Sequence, residues 1–71
     1  MPRYLVTTRR ALRGSVPSAA EALKAEPGVR LVNAEDPDLV TMEATAAAAD
    51  RLRAKLRDTH FVEPEIRRSL E

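Results

Sequence analysis

The sequence predicts an α+β fold made of two β-α-β units that share a hairpin. Three observations carry this. Four short segments are rich in β-branched, aromatic and aliphatic residues: Tyr4–Thr8, Val29–Ala34, Leu39–Glu43 and Phe61–Ile66. Two stretches with apolar residues at helical spacing lie between the first and second and between the third and fourth of them. Only the turn cluster Glu35-Asp36-Pro37-Asp38 separates the second segment from the third.

Each element has a local reason. The first strand ends in a polar loop carrying Arg9, Arg10, Arg13 and Gly14. Ser15 or Ser18 then caps a helix, Pro17 suits its first turn, and Ser18 with Glu21 three residues on fits a capping box. Val16, Ala19, Ala20 and Leu23 form the apolar stripe of that helix, and Pro27-Gly28 stops it. In the second strand Val29 and Leu31 share one face and Val32 takes the other. Thr45 caps the second helix, whose stripe is Ala48, Ala49, Leu52 and Leu56. Its outer face carries Asp50, Arg51, Arg53, Lys55 and Arg57, and its alanine run favours helix and close approach to a sheet.

The order β-α-β-β-α-β with right-handed crossovers is the ferredoxin-like arrangement: a four-stranded antiparallel sheet with both helices on one face. No helix is left for the opposite face, which should then be mostly polar. Yet Leu5 opposes Tyr4 and Val6, Val32 opposes Leu31, and Phe61 or Val62 must lie there too. That excess is expected of a docking surface, or of the apolar area every small domain leaves exposed.

Seventy-one residues make one domain, and such a chain buries only roughly 60% of its unfolded surface. One Phe, one Tyr and no Trp leave the core to aliphatic side chains. Without cysteine there is no disulfide, thiolate metal site or thiol nucleophile. A net charge of +1 with interspersed acids and bases argues against nucleic-acid binding, which needs a basic stripe. No apolar run approaches the roughly 18 residues of a membrane span. The opening Met1-Pro2-Arg3-Tyr4-Leu5-Val6 has no signal-peptide core, so the chain as written is expected in the cytoplasm; a leader removed beforehand would make it secreted.

Enzyme signatures are missing: no GxGxxG, P-loop or HExxH is present. The one histidine, His60, beside a strand start, reads as a surface or partly packed residue. Asp50, Asp58, Glu63 and Glu65 have no paired base or metal-like cluster, and Ser15, Ser18 and Ser69 have no histidine neighbour in sequence. Arg9, Arg10 and Arg13 read as a solvated loop, because no glycine-rich nest accompanies them. The expectation is a non-enzyme with no catalytic residue, no cofactor and no metal.

Glu63 and Glu65, two apart, point to the same side of an extended backbone. They protect a strand edge, or they cap helix starts of a partner, where unpaired N–H groups carry partial positive charge. Residues 1–66 form the domain on this reading and 67–71 an extended C-terminal tail.

The chain resembles the propeptide domain of subtilisin-type serine proteases and the free-standing inhibitors of that fold. Tyr4-Leu5-Val6 is similar to the family's Tyr-Ile-Val-type first strand, and Gly28-Val29-Arg30-Leu31-Val32 to its second. Leu52 followed by Thr59-His60-Phe61-Val62-Glu63-Pro64-Glu65 resembles the Leu…Val-x-Tyr-Val-Glu-Pro-Asp ending. The likeness spans most of the chain and is strongest at this end. It implies a sheet face docked on two protease helices, with acids at Glu63 and Glu65 capping them. It also implies a tail in the active-site cleft, with Glu71 in the primary specificity pocket and Leu70, Ser69 and Arg68 in the pockets behind it. The implied activity is inhibition, together with chaperoning of protease folding in trans. The sequence departs from the pattern at Glu71 and Arg68, where apolar or aromatic residues are usual, and at Leu39-Val40-Thr41-Met42, where a Gly-Phe is. Met42 is suited to filling part of the missing volume.

Two rivals stand beside this reading. One is a non-catalytic regulatory or assembly module that forms a homodimer through its open sheet face. The other is an RNA binder, which the lack of an exposed aromatic pair disfavours.

Overall fold

The computed structural model describes residues 1–65. Its elements are β1 (Arg3–Thr8), a 3-10 turn (Arg10–Leu12), α1 (Ala19–Leu23), β2 (Val29–Asp36), β3 (Leu39–Ala44), α2 (Ala46–Lys55) and β4 (His60–Pro64). The strands form one sheet in the order β2-β3-β1-β4, every neighbouring pair antiparallel. This is the ferredoxin-like α+β fold, with the two outer strands supplied by different β-α-β units.

The core lies on one side of the sheet. Tyr4 and Val6 of β1, Val40, Met42 and Ala44 of β3, and Val62 of β4 are buried in one cluster with Ala19, Leu23, Ala48, Ala49, Leu52 and Leu56. The sheet members alternate with half-buried or exposed residues along β1 and β3, the signature of a sheet covered on one face only. Met42 is fully buried in this cluster.

Both helix caps fall where expected. Ser18 Oγ accepts from the Glu21 amide at 3.3 Å, and Thr45 Oγ1 from the Ala48 amide at 3.1 Å. Gly28, at φ +77°, turns the chain from α1 into β2 in a conformation side chains rarely adopt.

Five elements differ in their boundaries from expectation, the first strand starting one residue early at Arg3. The first helix starts at Ala19, so Val16 and Pro17 precede it; Ser18 takes an extended backbone as N-cap, and Val16 is instead bridged to Arg13. The second strand runs on through Glu35 and Asp36, leaving Pro37-Asp38 to make the turn, because the Asp36 carboxylate accepts from the Asp38 amide at 2.9 Å. The third strand extends one residue to Ala44, whose amide donates to Pro2 O at 3.1 Å. The fourth begins at His60 and ends at Pro64; Ile66 lies outside the described residues.

Candidate functional site

The uncovered face is ordered into rows by strand register. Arg30, Glu43 and Arg3 are successive cross-strand partners; so are Asn33, Thr41, Leu5 and Glu63, and Asp36, Leu39, Thr7 and Phe61. Glu65 adjoins the first row, its amide donating to Arg3 O at 2.9 Å. Glu63, on the strand that forms the margin, and Glu65, one residue past its end, therefore sit on the uncovered face, about 6–7 Å apart along the backbone.

Charge on this face is unevenly compensated. Glu43 lies between Arg3 at 3.4 Å and Arg30 at 3.6 Å. Glu63 and Glu65 have no ion-pair partner among the described residues. The apolar part of the face is small: Leu5 is half-buried, while Leu39 and Phe61, in one row, are 48% and 44% exposed. Val32 falls in the stretch where β2 slips register against β3.

The outer edge of β4 is closed to further strands. Its residues 61, 63 and 65 turn their peptide groups to β1, so those of 60, 62 and 64 face outward. The His60 amide donates to Leu56 O at 2.8 Å, Arg53 Nε donates to Val62 O at 3.2 Å, and Pro64 has no N–H. A groove of about 450 Å³ runs along this edge beside α2, lined in part by Arg9, Arg53, Arg57, Phe61 and Glu63. Its cations brace the strand against the helix. Arg53 also holds Asp50 at 2.9 Å, and Arg9 Nη2 donates to Arg57 O, beyond the end of α2, at 2.7 Å.

Two sequence readings are corrected here. Arg9 is not part of a solvated loop: it is half-buried, its guanidinium lies 4.3 Å from the centre of the Phe61 ring, and its Nε is enclosed without a partner among the described residues. His60 is not at the surface. It is buried, with Nε2 2.9 Å from Pro17 O and Nδ1 2.6 Å from Thr59 Oγ1. A carbonyl can only accept, so Nε2 carries the proton and ties β4 to the segment before α1. Both contacts join residues too far apart in the chain for spacing to reveal.

The remaining candidates do not converge. Ser18 is a cap, Asp50 is paired with Arg53, and Ser15 and Asp58 are exposed; no hydrogen bond joins any of them to His60. Among the described residues no three His, Asp or Glu side chains gather as metal ligands, and no helix is long and apolar enough to cross a membrane. Arg68, Ser69, Leu70 and Glu71 lie outside the described residues. Compared with protein-family models, with curated proteins and with solved structures, the chain matches none.

Proposed function

We propose that this chain inhibits a subtilisin-type serine protease, and assists its folding in trans, by docking the uncovered sheet face on the protease. The observation that carries the reading is the pair Glu63 and Glu65 on the margin of that face, without an ion-pair partner among the described residues. Carboxylates so placed suit two neighbouring helix N-termini, which attract anions. Arg68, Ser69, Leu70 and Glu71 then enter the active-site cleft, adding to the protease's edge strands.

The experiment is residual protease activity across a panel of subtilisin-type enzymes, including any encoded beside this chain. Inhibition of at least one is expected; none inhibited sinks the proposal. The double variant Glu63→Ala, Glu65→Ala is expected to weaken inhibition about tenfold, from roughly 0.3–1 kcal/mol per carboxylate at a helix terminus. Its thermal midpoint should stay near that of the parent, since neither side chain makes an ion pair within the described fold. Removing Ser69–Glu71 is expected to weaken inhibition further; unchanged inhibition would show that the tail is not read.

A second reading is favoured by Leu39 and Phe61, which expose apolar surface side by side with Thr7 between them. The domain would then be a regulatory or assembly module that self-associates through this face. Loss of association in Leu39→Ser, Phe61→Ser would support it.

A further inference from the structure

The two margins of the sheet are treated differently. Arg53, Leu56 O and the proline at position 64 occupy β4's outer edge, whereas among the described residues no other element pairs with the outer edge of β2, and only the Glu35 amide is taken locally, by Asn33 Oδ1 at 3.1 Å. Ala44 and Thr8 bond across the β1–β3 seam (to Pro2 O and Asp38 O), so residues 39, 41 and 43 of β3 turn toward β2. Their partners are Asp36, Asn33 and Arg30, and the peptide groups between these residues have no strand to pair with.

β2 is eight residues long, the longest strand of the sheet, and seven of its residues are exposed. Leu31 is 37% and Val32 40% exposed, and Leu31, Val32, Asn33 and Ala34 carry no charge. Proteins usually guard such an edge with a central charge. Here the charges stand at the two ends and are opposite in sign: Arg30 near the start, Glu35 and Asp36 at the finish.

We propose that β2 pairs antiparallel with β2 of a second copy of this chain, joining two four-stranded sheets into one of eight. The charge pattern selects this occupant. Asn33 is midway between Arg30 and Asp36, so a twofold axis beside Asn33 sets Arg30 of each copy opposite Asp36 of the other. A parallel pairing in register would instead set like charges together. The register slips bend β2 but leave its middle uncharged, and the two Val32 side chains gain cover near the axis. An edge-to-edge contact is small, which places the dimer in the weak class below about 1,200 Å². The inhibitor reading is untouched by this, because β2 lies at the opposite margin of the sheet from Glu63 and Glu65.

The test is sedimentation equilibrium of the full chain at concentrations up to about 1 mM, the weak end of specific association. A mass rising toward twice the monomer is expected, and falling back as salt is added. Val32→Lys sets two like charges beside the axis and should raise the dissociation constant more than about tenfold. Arg30→Glu should do likewise by opposing Asp36, its loss of the Glu43 ion pair reading separately as a lower thermal midpoint, while Val32→Lys keeps the parent's circular dichroism. Leu39→Ser, Phe61→Ser on the open face should leave the mass unchanged. A strict monomer at every concentration overturns the proposal, as does a dimer indifferent to Val32→Lys and Arg30→Glu or abolished only by the open-face pair.

Discussion

Leu52→Ala is expected to remove about 2–5 kcal/mol of stability, the range for emptying a buried leucine site. Leu52 is fully buried at the middle of α2, and its carbonyl accepts the amide of Leu56 at the helix end. A domain of 71 residues has roughly 4–10 kcal/mol in total. The variant should therefore show a urea midpoint shifted down by a fifth or more, with part of the population unfolded at 25 °C where the parent lies at the low end of that range. Leu52→Met keeps the volume and is expected to cost less than about 1.5 kcal/mol. Equal midpoints for the parent and Leu52→Ala would remove Leu52 from the core. The consequence for binding is separable from any contact. A partner that binds only the folded form sees its apparent affinity fall by the folded fraction. Leu52→Ala thus weakens inhibition together with the melt, whereas Glu63→Ala, Glu65→Ala should weaken it without one.

What could be read from the chain is what its near neighbours decide. Ser18 and Thr45 cap helices three residues away, and Ala48, Ala49, Leu52 and Leu56 share a stripe because helical spacing puts them there. The order β-α-β-β-α-β with right-handed crossovers was enough for the fold class. Long-range partners were hidden. His60 owes its burial partly to Pro17 O, 43 residues earlier, and Arg9 to Phe61 and to Arg57 O, 48 residues on. Strand spacing implied that Glu63 and Glu65 share a side. Which side required the pairing of Glu63 with Leu5 rather than with Tyr4, a shift of one residue that would have turned both carboxylates into the core. The exposure of β2 was equally out of reach, since Leu31 and Val32 look like core residues until the strand is found at the margin.

Thr8→Val should cost about 1–3 kcal/mol although it keeps the size and shape of the side chain, the penalty of leaving a buried N–H unpaired. Five residues are too few for a helix to persist on its own, and α1 stays formed through the groups that meet its first turn. The Ala19 amide donates to Thr8 Oγ1 at 3.0 Å, that of Ala20 to Pro37 O at 2.9 Å, and those of Glu21 and Ala22 to Ser18 Oγ and Ser18 O at 3.3 and 2.8 Å. The three open amides of the first turn are taken, and that of Ala22 makes the first bond within the helix. Thr8 is buried on β1, so no water replaces its hydroxyl when valine removes it. Ser18→Ala, at a half-buried cap, should cost nearer about 1 kcal/mol. Thr8→Ser loses a methyl group but keeps the acceptor, and hydrogen exchange separates the two. The Ala19 amide should exchange faster in Thr8→Val, relative to the global unfolding rate, and stay protected in Thr8→Ser. A Thr8→Val protein as stable as the parent, with Ala19 still protected, would mean that another acceptor reaches this amide and that β1 does not hold α1 in place.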